Sequence, residues 1–189
     1  MALILASQSP RRRELLVRMG LEEFEVRPAV GEERADPALP PALLVEELSR
    51  QKAKEIAAGA RPDDVIIAAD TVVAIDGQVL GKPRDRAEAE EMLSRLSGRI
   101  HTVYSGITVR RGGDVRTEHE ATDVVFRTLT REEIAAYVET GEPMDKAGAY
   151  GIQGRGCVLV ERIHGDYYNV MGLPVCRLAL LLRQFGIAI

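Results

Sequence analysis

The sequence predicts an α/β protein built on a mixed, twisted sheet with flanking helices. Three observations predict it. Apolar runs short enough for strands alternate with segments of helical spacing, one run is apolar along almost its whole length, and a long alternating stretch turns at a glycine pair. In order, residues 2–6 (ALILA) read as a short buried strand. Ser9-Pro10 opens a helix, because serine favours the cap and proline the first turn. Leu15, Leu16 and Met19 follow at core spacing and Gly20 closes it. Residues 23–28 (EFEVRP) give a second strand, and a loop rich in Gly, Pro and acids runs from Val30 to Pro41. An amphipathic helix then spans Pro41 to about Ala58. The run VIIAADTVVAI (65–75) is a nearly continuous apolar strand, interrupted only by Asp70 and Thr71. Arg84 to Leu96 has helical spacing. Arg99 to Leu129 alternates about Gly112-Gly113-Asp114, as a long hairpin does. Thr130 with Glu133 three residues on makes a capping box. Residues 156–165 read as a strand and 169–186 as the last helix, where Pro174 implies a kink or a delayed start.

No repeat, linker or charge block divides the chain, and 189 residues suit one domain spanning 1–189 that is at most lobed. At 46% hydrophobic and 29% charged it has an ordinary globular composition. A net charge of −4 argues against wholesale nucleic-acid binding, and 4% aromatics with no Trp exclude a stacking platform for single strands. Cys157 and Cys176 have neither a second pair nor matching His spacing, so they read as reduced small hydrophobes. The N-terminal apolar run precedes its arginines, the reverse of a signal peptide, and the late LALLL run is too short for a membrane span. A cytoplasmic protein with no membrane partner is expected. One imbalance stands out: 21 Arg against four Lys, at 52, 54, 82 and 146. Ammonium and guanidinium are not interchangeable, so a surviving Lys is a candidate for a role that Arg cannot fill.

Four constellations could carry chemistry. At the first strand-to-helix junction, Ser7, Ser9, Arg11 and Arg12 surround a helix N-terminus, whose unsatisfied N–H groups and dipole attract anions. The plainer reading is an ordinary cap with solvated arginines. Asp70 is a carboxylate in an otherwise apolar strand, where it needs a metal, a cation or an open cleft. A magnesium ion takes one or two carboxylates and fills its remaining sites with water and phosphate, and Glu32 or Glu33 could supply the second. A structural Asp at a strand bend is the alternative. Lys52 lies on an amphipathic helix and Lys82 in a stiff Gly-Lys-Pro loop; solvated surface is the usual fate of such lysines. Finally, the segment from Lys146 to Gly154 has glycines that admit close backbone approach. Gln153 there presents an acceptor beside a donor, complementary to the O4 and N3–H edge of uracil or thymine, though guanine offers a similar edge.

Together LASQSPRRREL, RQKA around Lys52, AADTVV around Asp70, the Gly-Lys-Pro at Lys82, KAGAYGIQG and GDYYNVMGLPV resemble the Maf family of nucleoside triphosphate pyrophosphatases. The match covers essentially the whole chain. The resemblance implies a mixed α/β fold with two lobes around a central cleft, and hydrolysis of a nucleoside triphosphate to the monophosphate and pyrophosphate. It makes Asp70 the proton acceptor and places Ser7, Arg11, Arg12, Lys52 and Lys82 around the triphosphate. Ser9 and Lys146 lie within the same motifs as further candidates for substrate binding. The resemblance implicates Glu32 or Glu33, with Asp70, in holding a divalent cation, Mg²⁺ or Mn²⁺. Arg12, Thr71 and Gln153 look like the specificity trio of the dTTP/UTP branch, as against the 7-methyl-GTP branch. A homodimer rests on family resemblance alone. The rival reading is a nucleotide-binding regulator of septum formation and cell division that binds without turnover; a strand carboxylate with a candidate second metal ligand favours the enzyme.

Overall fold

The computed structural model describes residues 1–32, 34–36 and 38–189. The first apolar run forms β1 (Leu3–Leu5), with Ile4 and Leu5 fully buried. Helix α1 (Pro10–Arg18) starts on its proline, which forfeits no hydrogen bond in the first turn, and buries Leu15 and Leu16. Gly20, at φ +84°, ends the turn. The second strand, β2 (Glu25–Val26), is shorter than its six-residue sequence pattern. α2 (Pro41–Ala57) and β3 (Val65–Ile75) match their patterns. A short β4 (Gln78–Leu80) follows. Asp76 and Gly77 both have positive φ, the two-residue turn that an Asp-Gly pair favours.

Helix α3 (Arg86–Leu96) begins two residues later than expected because Asp85 caps it, accepting from the Glu88 amide at 2.9 Å. The hairpin is β5 (Ile100–Arg111) and β6 (Asp114–Phe126), joined by Gly112-Gly113. α4 (Arg131–Glu139) carries the expected capping box between Thr130 and Glu133. Three 3-10 turns follow, at Glu142–Asp145, Ala147–Ala149 and Arg155–Val158. The last of these occupies the start of the expected strand, so β7 is only Val160–His164. The final segment resolves the proline question as a delayed start: α5 (Tyr167–Met171) stops before Gly172, and α6 (Val175–Gln184) begins after Pro174.

The seven-stranded sheet has the order β2-β1-β3-β5-β6-β7, with β4 on β3. β1 runs parallel to β2 and β3, with Leu3 opposite Val65 and Leu5 opposite Ile67, whereas β4 and β7 pair antiparallel. The sheet is therefore mixed, as expected. The chain divides into two units: Met1–Asp70 with Ser105–Glu120 and Gly172–Ile189, and Thr71–Tyr104 with Ala121–Met171. The first packs Ile4, Ala6, Ala53, Ile66 and Ala68 together. The second has a core that includes Val73, Leu93, Leu96, Val124, Phe126 and Val138. His101 lies in this core, edge-on to Phe126 and Tyr150 at 4.9 and 5.3 Å, and bonds the Tyr150 hydroxyl at 2.8 Å.

Within the first unit, α2 lies directly on β5 because residue 106 is glycine: a Cβ there would sit 2.2 Å from the Val45 carbonyl oxygen. The buried hydroxyls of Ser49 and Thr108, 2.8 Å apart, fix the same contact. Both cysteines are free and exposed rather than packed as small hydrophobes. Among the described residues no helix is long and apolar enough to cross a membrane.

Candidate active site

The first unit presents Asp70, 8% exposed, in the middle of β3. The apolar neighbours along the strand offer such a carboxylate no side-chain donor and little water, so a partner must come from elsewhere in the fold. Lys52 supplies it. This residue stands one helical turn beyond Ser49, on the side of α2 that Gly106 lets approach the sheet. Its Nζ lies 2.5 Å from Asp70 Oδ1, with the side chains only 17% and 12% exposed. The pair is buried enough to keep its geometry, unlike a solvated surface bridge.

The neighbouring carbonyl is held as well. Arg12 donates from Nε to the Gly172 carbonyl at 2.8 Å, and from one terminal nitrogen to the Ala69 carbonyl at 2.9 Å and to Ser7 Oγ at 3.1 Å. A planar guanidinium can span these three acceptors at once, where a point-like ammonium cannot. Ser7 is 7% exposed and also accepts from the Ser9 amide at 3.2 Å. Ser9 is the N-cap residue of α1, but its side chain makes no capping bond. The junction is therefore more than an ordinary cap: its serine hydroxyl and arginine face inward to the residue preceding Asp70. Arg11 is half-buried in the first turn of α1.

The second unit holds the other candidates. Thr71 is half-buried next to Asp70 in sequence, and Lys82 is exposed after β4. The Gly-Lys-Pro segment is tied to the Lys146 segment, since the Gly148 amide donates to the Gly81 carbonyl at 3.0 Å. Gly148 adopts φ +68° with no room for a side chain, as a Cβ would meet Val73 at 2.9 Å. Lys146 faces its own loop: Nζ donates to the Glu142 carbonyl and to Asp145 Oδ1, both at 2.6 Å. Gln153 is exposed.

Two residues of this unit escaped the sequence reading, Tyr137 and Glu142. The Tyr137 hydroxyl donates to Glu142 Oε1 at 2.8 Å and accepts from the Gly151 amide at 3.1 Å. Burial would raise the Glu142 carboxyl, but the amides of Arg155 and Gly156, the Tyr137 hydroxyl and the Lys146 charge outweigh it and hold it below the usual carboxylate range. Burial pushes the Tyr137 phenol up, so it stays protonated and able to donate. The motif GDYYNVMG also has a structural share: Asn169 Nδ2 donates to the Val103 carbonyl and to Thr122 Oγ1, both at 3.0 Å.

Of the metal candidates, Asp70 offers hard carboxylate oxygens. Glu32 is 74% exposed and pairs with Arg34 at 2.8 Å, and Glu33 lies outside the described residues. Among the described residues no three His, Cys, Asp or Glu side chains converge. Asp70 fits a cation that takes one or two carboxylates and completes its shell with water and phosphate oxygens.

The fold defines the class first. The Ham1 protein of Staphylococcus aureus superposes with a TM-score of 0.56 at 12% identity, covering 97% of this chain and 99% of that one. A HAM1 protein from Coxiella burnetii gives 0.53 at 16% identity, with the same coverage. At such identities the likeness is one of fold, and it is the fold of a mixed-sheet α/β protein. Within that class the chain belongs to the Maf-like proteins, whose family model matches residues 2–185. It is 54% identical over 184 residues to a dTTP/UTP pyrophosphatase of Symbiobacterium thermophilum, covering 97% of this chain and 94% of that one. A dTTP/UTP pyrophosphatase of Moorella thermoacetica is 52% identical over 187 residues, covering 98% and 95%.

Proposed function

We propose that this chain hydrolyses dTTP and UTP to the nucleoside monophosphate and pyrophosphate. The observation that carries the reading is Asp70: a nearly buried strand carboxylate, oriented by Lys52 at 2.5 Å and preceded by a carbonyl that Arg12 holds. The names of relatives about half identical over nearly the full chain support the substrate class.

Asp70 accepts a proton from a water molecule as that water attacks the α-phosphorus. The bond from the α-phosphorus to the bridging oxygen breaks, and pyrophosphate leaves with the electron pair. Ser7, Ser9, Arg11, Arg12, Lys52 and Lys82 meet the phosphate charge, so that positioning and charge neutralisation do most of the work. Asp70 with Glu32 or Glu33 would hold a divalent cation, Mg²⁺ or Mn²⁺, which when bound would supply further neutralisation of the triphosphate. The Glu32 bridge to Arg34 is exposed and therefore weak enough to exchange. Arg12, Thr71 and Gln153 select the base, with the Gln153 amide matching the O4 and N3–H edge of a pyrimidine.

A panel of UTP, dTTP, CTP, GTP and 7-methyl-GTP, read by pyrophosphate release with Mg²⁺ or Mn²⁺ and again after chelation, tests this. UTP and dTTP turn over fastest, and chelation stops release. A preference for 7-methyl-GTP overturns the base assignment, and no catalytic release from any substrate overturns the enzyme.

A further inference from the structure

We infer that Tyr137 and Glu142 form a clamp that sets the position of the Gln153 amide, and so act as positioning residues for base selection. The inference rests on the proposed function for its substrate and on geometry for everything else. Gln153 is exposed at the midpoint of the bent segment, or arch, Gly151–Arg155. An exposed glutamine on a glycine-rich arch would sample many positions, and hydrogen-bond discrimination would be blunted by the entropy of ordering it.

Both ends of the arch are tied to the same two side chains. At the near end, the Gly151 amide donates to the Tyr137 hydroxyl at 3.1 Å. At the far end, the amides of Arg155 and Gly156 donate to Glu142 Oε2 and Oε1 at 2.8 and 3.1 Å. The Tyr137 hydroxyl then donates to Glu142 Oε1 at 2.8 Å and joins the two ties into one unit. Tyr137 is 6% exposed and rooted in the last turns of α4, a rigid support for a loop. Between these ties lie Ile152, Gln153 and Gly154, and the Gly154 carbonyl is held in turn by the Cys157 amide at 3.1 Å.

The glycines in this stretch follow from the clamp. A Cβ on Gly154 would lie 2.3 Å from Glu142 Oε2, and one on Gly156 would lie 2.7 Å from the Tyr137 hydroxyl oxygen and 2.5 Å from the Gly151 carbonyl oxygen. At Gly156 a side chain would strike backbone, and at Gly154 it would push the Glu142 carboxylate away from the amides it holds. Lys146 belongs to the same assembly, because its ammonium donates to the Glu142 carbonyl and neutralises charge beside the carboxylate. Its ammonium is thus engaged within the loop itself.

The test compares Tyr137→Phe, Glu142→Ala and Glu142→Gln with the unmutated protein, each checked by thermal melt. Tyr137→Phe keeps the ring and removes only the tie. KM for UTP rises about tenfold while kcat changes less than about twofold, and the UTP-over-CTP ratio of kcat/KM falls by about tenfold. Glu142→Ala behaves likewise, and Glu142→Gln, which keeps one acceptor oxygen, falls between. Amide hydrogen exchange at Gly151, Arg155 and Gly156 accelerates in Tyr137→Phe. This readout needs no turnover, so the clamp is tested even if the unmutated protein releases no pyrophosphate, an outcome that would overturn the functional reading instead. Unchanged exchange, or faster exchange with unaltered KM and base ratio in an active enzyme, overturns the clamp. Loss of fold in both Tyr137→Phe and Glu142→Ala also overturns it, since these residues would then be core supports.

Discussion

Lys52 Nζ lies 2.5 Å from Asp70 Oδ1, joining α2 to the centre of β3 across 18 residues of sequence. If Asp70 is the proton acceptor, Asp70→Asn reduces pyrophosphate release by on the order of 10²–10⁴ while the melt is little changed. Lys52→Met reduces turnover too, but it also leaves a carboxylate without its ammonium in a poorly hydrated strand, and stability falls by on the order of 2 kcal/mol. Steady-state kinetics with chemical denaturation separates the two effects. Full activity in a folded Asp70→Asn protein sinks the assignment.

Arg12 spans the Gly172 carbonyl, the Ala69 carbonyl and Ser7 Oγ. Arg12→Lys keeps the charge but loses the fork, so at least one buried acceptor is left unpaired. The expected cost is about 2 kcal/mol in denaturant unfolding, with a fall in kcat/KM for UTP. Wild-type values of both would show that the three contacts carry no weight.

Lys82 and Lys54 are both exposed, yet only Lys82 lies in a segment tied to the Lys146 loop, through Gly81 and Gly148. Lys82→Arg is expected to impair turnover despite conserving charge, and Lys54→Arg to be nearly silent. Equal effects in parallel assays would refute the distinction.

His101 is 2% exposed, and burial lowers its pKa from 6.5 to about 4, against a smaller opposing pull from Asp123. It is neutral when folded, whereas the unfolded chain takes up a proton below about 6.5. Stability is thus flat above that pH and falls as pH drops toward 4, by on the order of 3 kcal/mol from this residue. His101→Gln removes the contribution. Denaturant titrations at pH 7 and pH 4 should show a smaller difference in the variant than in the parent, and identical differences would rule the histidine out as the cause.

Local signals were legible in the sequence, and their accuracy follows range. The eleven-residue β3, the Thr130-Glu133 capping box and the glycine-pair hairpin depend on neighbours within a few residues. The strand expected over 156–165 begins only at Val160 because Gly156 and its neighbours form a 3-10 turn that Glu142 holds, a contact that periodicity does not encode. Cys157 and Cys176 read as hydrophobes by type, yet both stand exposed.

The sequence by itself determined the order of the principal elements, though not the short β4 or the separate α5, together with the mixed α/β class and the motifs that carry family membership and single out Asp70. Only the tertiary structure decided what the charged groups do. Arg12 reaches a carbonyl 160 residues away, Lys52 meets Asp70 because Gly106 admits α2 to the sheet, and Lys146 turns to its own loop instead of outward. A guanidinium or ammonium carries no periodic signature of its partner. Its partner is chosen by which carbonyls and carboxylates the packed sheet and helices bring within about 3 Å, where a charge-assisted hydrogen bond outweighs the lost hydration.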